Sequence, residues 1–335
     1  MSRRLLARLG WSLFVVWATV SIAFVVQSAL PSDPARMIAG QQAPPEAVAK
    51  IRADLALDRP LVVQYGRFLG RLLHLGPAAA GPKVDRAHAT CGALGPVHVD
   101  LGKSYQQRRA VVTILAERFP RTLLLALAAA LVQAGIGVAA GVVAAAKKRS
   151  AVDHLAVTAS LLGVSAPTFV IGVAFQWLFA YRLRWLPLDG YGESAAEHLA
   201  SVVLPAATLG VFGAAYYTRI VRDEMIVELG HDYVRTARAK GLGRARVVVV
   251  HALRNALVPI VTIFGLEIGT LVGGAVVTET VFRWPGIGSL SATALLDRDG
   301  PLIMGCVILT SLVVVAATLA VDVAYALLDP RVRRA

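Results

Sequence analysis

Long apolar stretches alternate with short polar segments along almost the whole chain. A helix needs about 20 apolar residues to cross the hydrocarbon core of a bilayer. Six segments reach that length, so the pattern predicts six transmembrane helices. Their approximate bounds are 9–30, 120–146, 155–181, 199–220, 257–281 and 302–328.

The first polar interruption, residues 31–119, is too long for a simple connection. It contains a helical pattern near 46–56, and then Tyr65, Phe68 and Leu72 recur at helical steps, which predicts an amphipathic helix on the bundle or at the membrane interface. Residues 76–98 are rich in Gly, Ala and Pro and show no periodicity, so we interpret them as irregular. The pattern divides the chain into 1–30 (N-terminus and first helix), 31–119 (loop), 120–328 (five-helix core) and 329–335 (tail).

A second polar segment, 219–258, is also longer than a turn. Residues 232–242 read DYVRTARAKGL, which predicts a short helix with small residues at Ala237 and Ala239 and a terminating glycine at Gly241. Taken alone, this segment is most simply a solvated basic loop.

Composition supports a membrane protein, because 56% of the 335 residues are hydrophobic and only 16% are charged. Soluble domains carry about 25% charged residues. The net charge of +13 does not indicate nucleic-acid binding, since the cations flank apolar stretches. Seventeen Lys and Arg residues fall in the segments 1–8, 147–149, 219–254 and 331–334, and four fall in the short loops on the other side. The positive-inside rule then predicts that both termini are cytoplasmic.

The sequence offers no catalytic chemistry of its own. It has no Walker loop and no catalytic dyad, and Cys91 and Cys306 read as isolated thiols. His74, His88 and His98 lack metal-ligand spacing, so we predict neither a metal site nor a bound cofactor. A membrane-embedded enzyme would need a convergent polar set. A secondary transporter or channel stays open as an alternative, although it would need buried charges in several spans.

The motifs resemble those of a known family. They include DLGKS at 100–104, SAPTF at 165–169, DYVRTARAKGL at 232–242 and HALRNAL at 251–257. The chain resembles the first of the two permease subunits of dipeptide, oligopeptide or nickel-type ABC importers. This resemblance implies an all-α membrane protein with the six-helix type I importer fold (MetI-like) and a long extracytoplasmic loop between helices 1 and 2. The segment at about 75–99 departs from the family pattern, and we favour a surface insertion over a contact with a binding protein.

The resemblance also implies partners and a location in the cell (inner) membrane. They are a second homologous permease, usually a different polypeptide, two ABC ATPase subunits that hold ATP and Mg, and an extracytoplasmic binding protein. Peptides are the best guess for the substrate, although glutathione and nickel chelates use similar permeases. The coupling helix that docks on the ATPase would comprise Arg235, Thr236, Ala237, Arg238, Ala239, Lys240, Gly241 and Leu242.

Buried polar groups suggest the translocation pathway. Glu267 lies near the middle of the fifth span, where it either faces the cavity or pairs with Gln133, Gln176 or another buried polar group. Glu279 is expected to fix the loop that follows it, with substrate contact as the alternative. Gly265, Gly269 and Gly273 form a stripe suited to a dimer interface or an intrachain crossing. The predicted pathway residues are Pro167, Thr168, Phe169, Glu267, Gly269, Gly273 and Glu279.

Overall fold

A computed structural model describes residues 2–29, 33–40, 42–75, 90–94 and 97–328. Contacts divide the chain into two compact units. One comprises Met1–Pro120 and Leu290–Leu312, and the other comprises Arg121–Ser289 and Val313–Ala335. The middle of the predicted insert, with His88, and the predicted tail 329–335 lie outside the described residues.

Among its described residues, the N-terminal part contains one long helix and three short ones. They are α1 (Ser2–Ala29), α2 (Pro34–Ala39), α3 (Pro45–Asp54) and α4 (Leu61–Leu72). The two helices predicted in the long loop are therefore confirmed as α3 and α4.

Helix α4 packs its aromatic face on α1. The ring of Phe24 lies 5.4 Å from that of Phe68 and 5.2 Å from that of Tyr65. Ser21 Oγ and Tyr65 Oη share a hydrogen bond of 2.5 Å. The amphipathic helix thus packs on the first predicted span.

A small antiparallel sheet follows α4. Its strands are β1 (Leu73–Leu75), β2 (Cys91–Leu94) and β3 (Val97–Asp100), in the order β1-β3-β2. The interpretation of 76–98 as irregular is therefore wrong for its described C-terminal end. Three- and four-residue strands held by backbone pairing are too short to show the alternating pattern that marks a strand in a sequence.

Ten further helices, among the described residues, complete the chain. They are α5 (Val111–Ala146), α6 (Ala151–Ser165), α7 (Thr168–Phe175, continued by a π-helical segment Gln176–Arg182), α8 (Ala195–Gly230), α9 (Asp232–Ala239), α10 (Arg244–Arg246, continued by a π-helical segment Val247–Ala252), α11 (Leu253–Gly274), α12 (Val276–Val281), α13 (Ile287–Leu296) and α14 (Gly300–Leu328).

The described residues contain four to six candidate membrane spans. Four helices are long and apolar enough to cross: Arg8–Ala29, Val111–Ala146, Ala195–Gly230 and Gly300–Val321. Two bent pairs bring the number to six if each is one span. The first pair joins α6 to α7 at an angle of 100°, and the second bends by 49° between Leu257 and Pro259.

Glycines let the long helices of the second unit approach closely. A Cβ on Gly141 of α5 would lie 2.7 Å from Cβ of Val221 on α8. A Cβ on Gly269 of α11 would lie 3.2 Å from Cβ of Ala317 on α14. Gly269 therefore serves an intrachain crossing, which is one of the two predicted uses of the stripe.

Candidate coupling surface and translocation elements

The predicted coupling helix forms as α9, with one face buried against its own chain. Val234 and Ala237, three residues apart, pack with Val247, and Leu229 and Leu242 complete this cluster. Residues at this spacing share a helix face, so the remaining side chains of α9 point away from the cluster. The burial fixes the orientation of the helix.

A Schellman motif ends α9. The backbone N–H of Gly241 donates to the carbonyl of Arg238, and that of Leu242 donates to the carbonyl of Ala237. Gly241 has φ +79°, a conformation that glycine adopts without strain. The terminating role predicted for Gly241 is confirmed.

The outer face of α9 is basic and exposed. The exposed residues of the helix and its cap are Asp232, Tyr233, Arg235, Thr236, Arg238, Ala239, Lys240 and Gly241. A salt bridge of 3.3 Å joins Arg235 to Asp232, but both side chains are largely in solvent, so this pair contributes little. The docking role predicted for Ala237 does not fit the structure, because its small side chain serves packing within the chain. Ala239 is exposed, as its predicted role requires.

Polar contacts join α9 to the end of α8. The Tyr233 hydroxyl donates to Oε2 of Glu228 at 2.5 Å, and the His231 ring stacks on Tyr233. Burial, together with this hydrogen bond, raises the pKa of Tyr233. Beyond α9, the Arg244 guanidinium donates to the carbonyl of Ala146 at the C-terminus of α5. A cation is favourable at that end of a helix.

A buried ion pair between α6 and α8 escaped the sequence analysis. Arg222 binds Asp153 with two hydrogen bonds, Nε to Oδ1 at 2.5 Å and Nη2 to Oδ2 at 3.0 Å. The Asp153 side chain is only 3% exposed. Ser150 caps α6 by accepting from the Asp153 N–H. This Ser-x-x-Asp pattern before an apolar stretch is a helix-start signal that could have drawn attention to Asp153.

Glu279 is the centre of a buried hydrogen-bond network. Its Oε1 accepts from Thr122 Oγ1 at 2.8 Å, and its Oε2 accepts from the Ser289 N–H at 2.8 Å. Thr122 in turn accepts from the Ile287 N–H at 2.7 Å, and the Trp284 N–H donates to the Glu279 carbonyl at 2.7 Å. The carboxylate has no exposed surface and holds the 282–288 loop. The geometry fits the predicted loop-fixing role and not the pathway role.

The other predicted pathway residues lie at the break between α6 and α7 or on α11. Pro167 stands at the break between α6 and α7, and Thr168 and Phe169 begin α7, where the Phe169 ring is half exposed. Gly269 is buried against α14, which does not fit the predicted lining role. Gly273 lies on the same helix, outside the part whose side-chain surroundings are described.

Glu267 of α11 is half-buried and lies within electrostatic range of Tyr217 on α8. Gln176 uses its amide to donate to the carbonyls of Leu188 at 3.0 Å and Val281 at 3.3 Å. The amide atoms of Gln133 form no hydrogen bond among the described residues. Neither glutamine pairs with Glu267, whereas the neighbouring Tyr217 is a buried polar group of the kind also predicted as a structural partner.

The cysteine of the long loop is not isolated, contrary to the sequence interpretation. The side chains of His74, Cys91 and His98 converge, with one potential ligand atom of each within 4.8 Å of the others. The sequence shows no ligand spacing here because the three residues lie on three different strands. Strand pairing brings them together.

Two protein-family models match this chain. A sequence model of the binding-protein-dependent transport system inner membrane component matches residues 137–334, which include α9 and its cap. The chain belongs to this family. A second model, for the N-terminal part of such membrane components, matches residues 1–126 of the permease.

Curated relatives match the permease along almost its full length. It is 37% identical over 336 residues to a Brucella abortus protein provisionally named a peptide transport system permease, with 99% of both chains covered. It is 36% identical over 350 residues to the di/tripeptide transport system permease protein DppB of Pseudomonas aeruginosa, covering 97% of each. It is 34% identical over 360 residues to the dipeptide transport system permease protein DppB of Escherichia coli, covering 99% of each.

Proposed function

We propose that this permease is the membrane-spanning subunit of an ATP-driven importer of short peptides. An extracytoplasmic binding protein delivers the peptide, a second homologous permease completes the pathway, and two ABC ATPases bind ATP and Mg. The full-length similarity to relatives named for dipeptide and di/tripeptide transport supports the substrate class. Both termini and α9 lie on the cytoplasmic side in this arrangement, in line with the distribution of Lys and Arg.

The observation that carries the proposal is the division of α9 into two faces. Val234 and Ala237 are buried in the permease, while Arg235, Arg238 and Ala239 are exposed. A helix of eight residues is too short to be stable alone, so its own chain must hold it in place. The exposed face is then a rigid, positively charged surface that suits an acidic groove on the ATPase.

Contacts behind α9 give a route for movement within the second unit. The Tyr233–Glu228 hydrogen bond and the Val234 cluster connect α9 to α8, and the Arg222–Asp153 pair connects α8 to α6. A displacement of α9 by the ATPase would therefore move helices that carry the broken span at Pro167.

For the pathway we assign a lining role to Glu267 and to the helix break at Pro167, Thr168 and Phe169. A half-buried carboxylate in an apolar helix is unfavourable against lipid and favourable beside a polar cavity. The protonated amine of a peptide is a suitable partner for this carboxylate. The break at Pro167 supplies a joint at which α6 and α7 can reorient.

Charge reversal on the exposed face tests the proposal. In Arg235→Glu/Arg238→Glu, the ATPase should be lost from the permease purified in mild detergent, and binding-protein-dependent peptide uptake into reconstituted vesicles should fall at least tenfold. Lys148→Glu is the control, because Lys148 is an exposed cation in the turn after α5 and not part of α9. It should retain both ATPase and uptake.

Two results would overturn the assignment. The first is a reversed double variant that keeps its ATPase and its uptake, which would remove α9 as the coupling element. The second is a wild-type permease that transports peptide without ATP or any ATPase, which would favour the secondary-transporter alternative.

A further inference from the structure

Three metal-binding side chains lie on one face of the β1-β3-β2 sheet. His74 of β1 is directly opposite His98 of β3, and Cys91 of β2 is opposite Asp100, two residues beyond His98. Side chains alternate between the faces of a strand, and directly opposed residues point to the same side. The strand register alone therefore places His74, Cys91 and His98 together.

The distances between the potential ligand atoms of these three side chains approach those of a metal site. Cys91 Sγ lies 3.6 Å from His74 Nε2, and the three ligand atoms lie within 4.8 Å of one another. A tetrahedral zinc ion, with Zn–N of about 2.0 Å and Zn–S of about 2.3 Å, separates its ligand atoms by roughly 3.3 to 3.6 Å. One edge of that tetrahedron is already formed, and small side-chain rotations close the wider separations.

The hydrogen bonding of His74 prepares one nitrogen for a metal. Its Nδ1 lies 3.1 Å from the carbonyl oxygen of Arg71. A carbonyl can only accept, so Nδ1 carries the hydrogen and Nε2 presents its lone pair toward Cys91. Metal-binding histidines are oriented by this kind of outer hydrogen bond.

The nearby carboxylate of Asp100 has other partners. Its Oδ1 accepts from the Gly102 N–H at 2.8 Å, and its Oδ2 forms a salt bridge of 3.4 Å with Arg71. Among the described residues, the set is therefore two imidazoles and one thiolate. The three side chains are only partly buried, which leaves room for a solvent ligand and a route of entry.

We propose that His74, Cys91 and His98 bind a divalent transition-metal ion of the zinc type, with water in the fourth position. Imidazole and thiolate ligands favour such ions over magnesium or calcium, which prefer oxygen. The ion joins all three strands and stabilises the pairing of β2 with β3. This inference is independent of the transport function, because no step of translocation requires it.

Cobalt(II) is the probe, because a cobalt–thiolate bond gives a charge-transfer absorption that spectroscopy can detect. The full-length permease, purified with its partners and treated with chelator, is titrated with Co²⁺. The proposal predicts one Co²⁺ per chain with this absorption and with tetrahedral d–d bands, and displacement by Zn²⁺. Hydrogen exchange of the backbone amides at 91–94 should slow when Zn²⁺ is added.

Matched variants separate this site from unspecific binding. Cys91→Ser should abolish the charge-transfer band, and His98→Gln should weaken Co²⁺ binding at least tenfold. Cys306→Ser and His154→Gln, which change a cysteine of α14 and a histidine of α6 rather than residues of the sheet, should leave both unchanged. Hydrogen exchange of the metal-free variants shows whether the sheet persists. Co²⁺ binding without a thiolate band, or equal binding by wild type and both site variants, overturns the proposal.

Discussion

The turn at Gly241 allows backbone conformation to be separated from steric fit. Gly241 has φ +79°, and a Cβ built there would meet no heavy atom within 4 Å. An alanine side chain at position 241 would therefore meet no steric clash. The cost of Gly241→Ala comes only from the left-handed backbone conformation. That conformation costs an alanine about 1 to 2 kcal/mol. The ratio of capped to frayed α9 ends should fall by a factor of roughly 5 to 30.

A second substitution at position 241 should reduce this conformational cost, and a nearby glycine provides a control. Asparagine tolerates the left-handed region better than alanine, so Gly241→Asn should be milder than Gly241→Ala. Gly243 is the matched control, because it also has open space around it but has φ −60°, which any residue adopts. Gly243→Ala should behave like the wild type.

The assay is peptide-dependent ATP hydrolysis by the reconstituted complex, with the thermal midpoint of the permease as a second readout. Activity should decrease in the order wild type, Gly241→Asn, Gly241→Ala. If Gly241→Asn were worse than Gly241→Ala, side-chain size would matter more than φ. If Gly241→Ala matched Gly243→Ala, the cap would have no role in coupling. Either result refutes the reasoning.

Three predictions concern stability, measured as thermal unfolding in detergent. Glu279→Ala leaves several buried donors without an acceptor and should destabilise the permease by about 2 to 3 kcal/mol; an unchanged midpoint would contradict the network. Asp153→Ala removes two hydrogen bonds from the Arg222 guanidinium, which is 21% exposed and keeps its bond to Asp223, so the cost should be about 1 to 3 kcal/mol. The double variant with Arg222→Met should recover part of the loss, and additive losses would argue against the pairing. Gly141→Ala should lower the thermal midpoint, because the added Cβ would clash with α8. Gly135→Ala should leave the midpoint unchanged, because a Cβ there would meet no atom within 4 Å. Equal effects of the two substitutions would rule out close packing as the cause.

Local features were the ones that the sequence could predict. Six apolar stretches indicated the spans, and the pattern up to Gly241 indicated both α9 and its end, because spans, caps and breaks depend on neighbouring residues. The orientation of α9 could not be read in the same way. Whether Ala237 faces a partner or the permease depends on Val247, which comes from a later segment of the chain.

Non-local features were missed for the same physical reason. Asp153 and Arg222 are 69 positions apart, and neither position is unusual by itself. His74, Cys91 and His98 meet only because three short strands pair in one register. Glu279 was predicted to fix its loop, but its partner Thr122 lies 157 positions away.

Two alanines of α9 give the most direct test of the central claim, that its exposed face docks on an ATPase. Ala239 is exposed and Ala237 is buried, only two positions apart. In a chain with Cys91→Ser and Cys306→Ser, a thiol-linked photocrosslinker is attached at Ala239→Cys or at Ala237→Cys and activated in the purified complex. Adducts with the ATPase from Ala239→Cys, and few from Ala237→Cys, are the predicted result. No ATPase adduct from Ala239→Cys, or equal yields from both positions, would contradict the account.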